Sequence, residues 1–474
     1  MPEKFLNSKF IFSSLAILLI AGYGFLLFYK LGSHPIVDWD EGIYAQVARQ
    51  SFENHTIADL YYYGAISPQN PTGLWFEKPP LMIWLIEFSY LIFGVTEFAA
   101  RFWSAFFALG IVILSYYFAV RLFKSRVVGL MTLATFYLAH FFITQSWYLK
   151  FDIPVTFFIL LSFFGFERAR NNKKFFLLFW TAVGLGVLTK SVIGLLPLPI
   201  IAIYALIRKD SGFLKEHYFY YGALLCLAII LPWHLIETFR YGTNFWKTYF
   251  GYHILERYAK PLEAHSGSFW YYALQMKDNL ILAGLSVVGL ANFLWRAVSD
   301  KNNERGHLLI AIQVIFIFLF FSVAGTKLAG YMSVIYPFLI IMVAKTIYDI
   351  FFLSKNNLFR VIGLSTISLL FIVSAFIFNA SKINDNGYFS HYYYENKAFM
   401  QFALQNYPNL NILVYHRDLP ALIFYADKRV YIWSPATKIS PGALIFISPE
   451  QPPYSDAKLI AKGQTASLYL VTVQ

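Results

Sequence analysis

The feature that most constrains this chain is an uninterrupted apolar run near its N-terminus. Residues 10–29 contain no charged side chain, and a helix of about 20 residues spans the roughly 30 Å core of a bilayer. The run is too long for the apolar region of a secretory signal peptide, and no A-x-A-like cleavage site follows it. The whole chain is only 14% charged, against about 25% in soluble domains. The run therefore predicts a retained transmembrane helix.

Further apolar segments predict a polytopic α-helical membrane protein with about eleven spans. With a cytoplasmic N-terminus, the inner flanks collect most of the Lys and Arg residues, and the short outer connections hold only Lys150, Lys190 and Lys327. The positive-inside rule favours this orientation, and an odd number of spans places the C-terminus outside. The predicted spans are residues 10–29, 98–120, 127–144, 153–167, 174–189, 192–207, 218–237, 279–295, 308–324, 331–350 and 358–378.

The composition changes near residue 380, which divides the chain into two predicted domains. Residues 1–379 form the membrane domain, whose long outer segments at 30–97 and 238–278 are rich in Trp and Tyr, as membrane interfaces are. Residues 380–474 predict a small extracytoplasmic α/β domain. It comprises a helix over 392–408 and strands NILVYH at 411–416, LIFYAD at 422–427, RVYIWS at 429–434, GALIFIS at 442–448 and SLYLVTV at 467–473.

Cysteine content and net charge exclude several kinds of site. Cys226 is the only cysteine, so neither an intrachain disulfide nor a cysteine-based metal site is possible. The net charge of +12 would suggest nucleic acid for a soluble protein. In a membrane protein the charge records topology instead, so we predict membrane lipids, and no nucleic acid, among the partners.

The first outer segment carries more acidic residues than helix capping requires. In DWDEGIYAQVARQSF, residues 38–52, Asp40 is placed to cap a helix, and Asp38 and Glu41 stand beside it. A cap needs only one acid. Asp152 stands at another predicted helix start, after the third span, where a cap is again the structural alternative.

The same segment contains an ion pair before an apolar helix. In WFEKPPLMIW, residues 75–84, Glu77 and Lys78 precede a proline pair. Proline suits the first turn of a helix, so we predict an interfacial helix over 80–94. A simple interfacial ion pair with a snorkelling lysine is the structural alternative.

Three basic residues lie on the outer face, where the positive-inside rule disfavours them. Lys190 and Lys327 end the fifth and ninth spans, and Arg257 lies in the second long outer segment. Arginine binds phosphate as a two-pronged donor and lysine as a point charge, while a carboxylate can accept a proton from a hydroxyl. Together with the acids, these bases indicate sugar transfer from a lipid phosphate.

The order of the motifs resembles the polyprenyl-phosphate-sugar glycosyltransferases of the GT-C fold. The pattern, over about residues 30–345, is similar to that of the bacterial lipid A aminoarabinose transferases and of the dolichyl-phosphate-mannose protein mannosyltransferase superfamily. DExxY alone would be a weak signal, whereas several motifs in one order are specific. The motifs are DEGIY at 40–44, FEKPPL at 76–81, LTKSVIGLLP at 188–197, LPWHL at 231–235, KPLEAHSGSFWYY at 260–272 and FSVAGTKLAGYMSVIYP at 321–337.

This resemblance implies roles for the candidate residues. Asp40 would be the general base, with Glu41 and Asp152 as further catalytic acids. Glu77 would lie near a bound divalent metal ion, which is the one cofactor implied. The carrier phosphate would be held by four basic residues: Lys78, Arg257, Lys190 and Lys327.

The resemblance also implies the substrates and the location. The donor would be a sugar on polyprenyl phosphate, and the acceptor a hydroxyl or phosphate of a glycolipid such as lipid A, of a cell-envelope glycan or of a protein. The protein would lie in the bacterial inner membrane with an extracytoplasmic active site. Two features depart from the aminoarabinose transferases: Ser191 stands where glycine is frequent, and no additional spans precede the outer domain.

Three other functions remain open from the sequence. A lipid-linked sugar transporter or flippase would carry its polar residues near the bilayer midplane on broken helices. A protein that only captures anionic lipid would need the bases but not Asp40, Glu41 and Asp152 together. A polysaccharide ligase would use a lipid-pyrophosphate donor, so a comparison of mono- and pyrophosphate carriers separates it from the transferase.

Overall fold

The computed structural model describes residues 9–62, 64, 73–299, 305–352, 391–415, 420–426, 430–433, 442–448 and 457–473. The chain divides into two units, each assembled from stretches that are separate in sequence. The first unit comprises Met1–Tyr29, Glu77–Met82 and Ser104–Ala380. The second comprises Lys30–Phe76, Ile83–Trp103 and Ser381–Gln474.

Long apolar helices dominate the described chain, because a helix satisfies its own backbone hydrogen bonds inside a bilayer. In chain order the helices are α1 (Lys9–Phe28), α2 (Asp40–Asn54), α3 (Leu81–Phe93), α4 (Glu97–Phe123), α5 (Arg126–Phe136), α6 (His140–Trp147), α7 (Asp152–Ala169), α8 (Phe175–Lys190), α9 (Pro197–Arg208), α10 (His217–Trp246), α11 (Arg257–Ala259), α12 (Tyr271–Gln275), α13 (Leu280–Ser299), α14 (Arg305–Val323), α15 (Tyr336–Phe352), α16 (His391–Asn406) and α17 (Pro420–Ala426). The fold class predicted from the sequence, a polytopic α-helical membrane protein, is confirmed.

The described residues include six helices long and apolar enough to cross a membrane, or seven if α5 and α6 count as one broken span. The break between α5 and α6 bends the chain by 65°. Three predicted spans are shorter or more charged helices: α7 carries Asp152 and Glu167, α9 has only 12 residues, and α15 contains Lys345 and Asp349. The predicted span at 358–378 lies outside the described residues.

Irregular helical segments interrupt the first unit where the candidate site residues lie. Short 3₁₀ helices cover Ser191–Leu195 and Ala329–Val334, directly after α8 and before α15. The helix α10 continues to Trp246, beyond the predicted end at residue 237, and a π-helix follows over Lys247–Glu256. π-Helical turns are rare in proteins overall, but those that occur often lie at functional sites.

A buried charge network joins α13, α14 and α15 in the first unit. Asp349, 7% exposed, lies 2.5 Å from Lys345 Nζ and 3.2 Å from Arg296 Nε. His307, fully buried, is 3.8 Å from the same carboxylate. Charged groups inside a membrane bundle are stable only when they are paired, so this network links the three helices.

The second unit includes a five-stranded mixed sheet with strand order β2-β1-β3-β5-β4. The inner strand β1 pairs in parallel with β2 and β3, while β5 pairs antiparallel with β3 and β4. The strands are β1 (Asn411–Tyr415), β2 (Val430–Trp433), β3 (Gly442–Ser448), β4 (Lys458–Lys462) and β5 (Ser467–Val473). With α16 and α17, the sheet gives this part of the chain the predicted α/β character.

One predicted strand of this region is wrong. The segment LIFYAD at 422–427 is helical through Ala426, as part of α17. A short apolar run does not distinguish a strand from a buried helix. Here Pro420 begins the helix, and every residue of α17 except Tyr425 is buried. The prediction also missed β4.

Candidate active site

Two ion pairs lie at the helix ends that the sequence singled out. Lys78 Nζ is 2.7 Å from Glu77 Oε1, just before α3, and the two side chains are 12% and 18% exposed. Asp152 begins α7 and Lys190 ends α8, and their Oδ1 and Nζ atoms lie 2.6 Å apart. Because α7 and α8 are consecutive helices that pack together, the start of one lies beside the end of the other.

The two aspartates at helix starts do not act as caps. The N-cap residues of α2 and α7 are Trp39 and Phe151, and neither makes a side-chain capping hydrogen bond. The prediction that Asp40 caps its helix is therefore wrong. Asp40 and Asp152 are instead the first helical residues, where the positive end of the helix dipole stabilises a carboxylate. Asp40 is half-buried and belongs to the second unit.

Tyr331, which the sequence did not single out, lies near several of the candidate charged residues of the first unit. Lys190 Nζ is 4.9 Å from the centre of its ring, and the charges of Arg257, Lys78 and Asp152 influence its hydroxyl. Burial raises the pKa of Tyr331, and the positive charges of Arg257 and Lys78 oppose that rise. Tyr331 therefore stays protonated near pH 7, as a hydroxyl that can donate to an anion.

The close approach of this segment to α7 depends on glycine. A Cβ atom on Gly330 would lie 3.3 Å from Asp152 Oδ2 and 3.5 Å from Gln145 Oε1. The first distance is tighter than most real Cβ contacts and the second is an ordinary contact, so the missing side chain lets the 3₁₀ helix at Ala329–Val334 lie close against the carboxylate. The GY pair in LAGYMSVIYP was the available signal, but an aromatic residue in an apolar motif is usually a packing residue.

Arg257 has a buried N–H group that no described residue accepts from. Its Nη2 lies 2.7 Å from Glu263 Oε1, while its buried Nε has no hydrogen-bond partner within the described part of the chain. Nearby, the buried Nδ1 of His253 likewise has none among the described residues. His253 interacts electrostatically with Glu77, Lys78 and Arg257. Since buried donors are nearly always satisfied, this corner of the first unit is suited to an acceptor such as an anion.

Lys327 is not available for a phosphate. Its Nζ donates to the carbonyl oxygens of Phe321 at 3.1 Å, of Ser322 at 2.6 Å and of Ala324. An ammonium has three donors, and all three are used. Lys327 is 4% exposed and satisfies the carbonyl groups at the C-terminal end of α14, which corrects its predicted role in phosphate binding.

Glu41, which the sequence predicted as a catalytic acid, forms a structural ion pair instead. Its two carboxylate oxygens accept hydrogen bonds from Arg101 Nε and Nη2, each at 2.9 Å, and both side chains are at most 1% exposed. The remaining donors of Arg101 reach the backbone carbonyls of Leu31, His34 and Pro35 at 2.7–3.1 Å. This bidentate pair holds the segment before α2, so Glu41 stabilises the fold near Asp40.

The residues around Glu77 do not fit the divalent metal ion that the resemblance implied. Within the residues that the structure describes, no group of three or more His, Cys, Asp or Glu side chains could hold a metal ion. Glu77 is paired with Lys78, whose positive charge competes with a cation. We therefore assign no step to a metal.

Ser191 explains one departure from the family pattern. It follows Lys190 with φ 50° and ψ −132°, a conformation that glycine adopts easily and other residues do not. Its side chain is buried, so the serine keeps this strained backbone inside the protein.

We expect Ser191→Gly to be more stable than Ser191→Ala. Glycine relieves strain of about 1–3 kcal/mol, whereas alanine keeps it. Thermal unfolding of the detergent-purified variants measures the difference. Equal midpoints for the two variants would show that this backbone is not strained.

Comparison with known proteins supports this description. Residues 77–236 match the model of the dolichyl-phosphate-mannose-protein mannosyltransferase family. An uncharacterized protein of Aquifex aeolicus is 29% identical over 73% of this chain and 65% of its own length. The undecaprenyl phosphate-alpha-4-amino-4-deoxy-L-arabinose arabinosyl transferase of Erwinia tasmaniensis is 28% identical over 64% of this chain and 54% of its own length. The alignments thus span less than two thirds of these two relatives.

The fold itself matches over almost the whole chain. The crystal structure of ArnT from Cupriavidus metallidurans, bound to undecaprenyl phosphate, superposes with a TM-score of 0.73 at 19% identity, covering 96% of this chain and 97% of that one. The resemblance to the GT-C polyprenyl-phosphate-sugar glycosyltransferases, predicted from the sequence, is confirmed.

Proposed function

We propose that this chain, a multi-pass membrane protein with the GT-C fold, is an inverting glycosyltransferase. It transfers a sugar from a polyprenyl phosphate, in bacteria undecaprenyl phosphate, to a hydroxyl or phosphate of a glycolipid, an envelope glycan or a protein. One observation carries the proposal: Arg257 keeps a buried donor without a partner in the described chain, and Lys190 Nζ lies 4.9 Å from the ring of Tyr331, whose hydroxyl the charges of Arg257 and Lys78 also influence.

Lys78, Lys190 and Arg257 would bind a phosphate at the edge of the bilayer. Each has a carboxylate partner: Lys78 has Glu77, Lys190 has Asp152 and Arg257 has Glu263. The pairs keep the site close to neutral without a ligand, which limits the cost of holding charge there. The side chain of Glu263 is 48% exposed. A phosphate can therefore replace it as the partner of the Arg257 guanidinium at a small desolvation cost.

These donors would stabilise the leaving group. As the acceptor oxygen forms its bond to C1 of the sugar, the bond from C1 to the phosphate oxygen breaks, and its electron pair leaves with the carrier phosphate. Fixed donors placed where this charge develops lower the barrier. Arg257 supplies two-pronged contact, and Lys78 and Lys190 supply point charges.

When the acceptor is a hydroxyl, its proton would go to Asp40; an ionised phosphate acceptor would attack without this transfer. This role rests on the match of DEGIY to the family motif and on the half-buried position of the carboxylate at the start of α2. A single displacement with one base inverts the configuration at C1 and needs no covalent intermediate. Asp152, paired with Lys190, would position that lysine.

The location follows from the charge distribution of the sequence. The Lys and Arg residues flanking the spans favour a cytoplasmic N-terminus. We therefore propose that the protein lies in the inner membrane with the charged cluster and residues 380–474 on the extracytoplasmic side. Cysteine accessibility labelling at exposed positions of α16 would test this orientation.

The direct test incubates the purified protein with radiolabelled undecaprenyl-phosphate sugars and membrane extract, and follows label into product. Label that moves to an acceptor with release of undecaprenyl phosphate supports the proposal. Transfer only from undecaprenyl-pyrophosphate carriers would identify a polysaccharide ligase instead. Movement of the intact donor across proteoliposomes without transfer would identify a transporter.

We expect Lys78→Ala to weaken the binding of undecaprenyl phosphate about 10- to 100-fold. A hydrogen bond to a charged group contributes about 1.5–3 kcal/mol, and Lys78 is nearly buried beside Glu77. The shift of the unfolding midpoint with added undecaprenyl phosphate measures the affinity. The control is Lys173→Ala, whose side chain is 44% exposed in a surface pair. Unchanged affinity in Lys78→Ala would remove this lysine from the phosphate site.

A further inference from the structure

The helix that carries Asp40 is packed against a segment almost 400 residues later in the chain. Within the second unit, α17 (Pro420–Ala426) lies directly on α2 (Asp40–Asn54). A Cβ atom on Gly42 would lie 2.6 Å from the backbone nitrogen of Ala421 and 2.7 Å from the carbonyl carbon of Pro420. Real Cβ atoms essentially never approach backbone so closely, so the two helices meet backbone to backbone at this glycine.

Hydrogen bonds fix α17 on both sides of this contact. Asp38 Oδ1 accepts from the backbone nitrogen of Ala421 at 3.1 Å, and Arg49 Nη1 donates to the carbonyl of Phe424 at 2.7 Å. The Tyr425 hydroxyl accepts from the backbone nitrogen of Ile36 at 2.8 Å. The contacts therefore begin four residues before Asp40, at Ile36, and continue along α2.

The second helix of the C-terminal segment contributes as well. Lys397 of α16 forms an ion pair with Glu97, and the Tyr425 hydroxyl donates to the same carboxylate at 2.9 Å. His34 Nδ1 lies 2.6 Å from the Tyr394 hydroxyl. All these residues belong to the second unit. The first outer segment thus shares one polar and apolar interface with α16 and α17.

From these contacts we propose that α17 positions the general base, Asp40. It holds the start of α2 through two positioning residues, Gly42 and Asp38. The inference rests on the proposed function, because it assigns a role relative to Asp40. Asp38 acts as a hydrogen-bond acceptor through a carboxylate oxygen, and its negative charge is not required. Gly42 acts through the absence of a side chain, since any Cβ would force α17 away from α2.

The test uses substitutions whose effects a general loss of helix stability cannot imitate. In an isolated helix, Gly42→Ala would add stability of about 1 kcal/mol, so any loss must come from the contact with α17. We expect Gly42→Ala to lower kcat about 10- to 100-fold, the range for a small displacement of a catalytic group, with the KM for the donor unchanged. Amide hydrogen exchange in residues 40–54 should become faster. The matched control is Gly284→Ala on α13, where a Cβ meets no atom within 4 Å, and it should keep wild-type kcat.

Substitution of Asp38 separates positioning from chemistry. Asparagine keeps the oxygen that accepts from Ala421, so Asp38→Asn should retain kcat within about threefold, whereas Asp38→Ala should show the loss of Gly42→Ala. Equal losses in both Asp38 variants would overturn the positioning role, and so would wild-type kcat and exchange in Gly42→Ala. If the wild-type protein transfers no sugar, the proposed function fails, and the exchange of residues 40–54 still decides whether α17 holds α2.

Discussion

Replacement of Asp40 by asparagine should abolish sugar transfer, with kcat reduced about 10²–10⁴-fold, the usual contribution of a general base. The amide has nearly the shape of the carboxylate but cannot accept a proton from the attacking hydroxyl. Because the side chain is half-buried in the first turn of α2 and asparagine fills the same space, the folded protein should be retained. Binding of undecaprenyl phosphate should be unchanged.

The measurement is the initial rate of label transfer at saturating donor, beside gel filtration and donor affinity. The matched control is Glu53→Gln on the same helix, whose carboxylate is 33% exposed and lies 2.7 Å from Arg49 Nε. Surface pairs contribute little, so this variant should keep a rate within about twofold of wild type. An Asp40→Asn protein with more than about a tenth of the wild-type rate would refute the assignment of the base.

Loss of the Arg257 side chain should have the second largest effect. We expect Arg257→Ala to lower kcat about 10²–10³-fold, the typical cost of removing one preorganised donor to developing charge. The buried Nε without a partner in the described chain, together with the Nη2 bond to Glu263, leaves the guanidinium ready to contact a phosphate with two donors. Arg257→Lys should recover only part of the rate, since lysine restores the charge but not the paired geometry.

A neighbouring cation tests whether the effect is local. Lys260, three residues later, forms an exposed pair with Glu256, with its side chain 58% exposed. Lys260→Ala removes the same charge from the same segment and should leave kcat within about twofold. If Lys260→Ala and Arg257→Ala reduce the rate equally, the net charge of the segment matters and not the position of the guanidinium.

The sequence was sufficient for the parts of the fold that depend on local pattern. Apolar runs predicted the long helices, and the proline pair after Lys78 predicted the start of α3. The order of the motifs predicted the fold family, because those motifs place charged residues at the ends of separate helices. The pairing of Asp152 with Lys190 was not predicted, because it depends on how the two consecutive helices pack.

The sequence was insufficient where a side chain's role depends on which partner the fold supplies. Lys190 and Lys327 both end apolar spans, yet the first pairs with a carboxylate and the second satisfies backbone carbonyls. Glu41 stands beside Asp40 but pairs with Arg101, 60 residues later. Tyr331 gave no charge signal at all. Only the three-dimensional contacts distinguish these cases.

The bond pattern of Arg101 has a consequence for how the region before Asp40 tolerates change in length. Surface loops usually accept insertions and deletions. Here one buried guanidinium holds the carbonyls of Leu31, His34 and Pro35 as well as Glu41. One residue more or fewer between positions 31 and 41 would remove at least one hydrogen-bond acceptor and leave a buried N–H group of Arg101 unsatisfied. Relatives that transfer sugar to different acceptor molecules should therefore differ here in their side chains and keep the same number of residues.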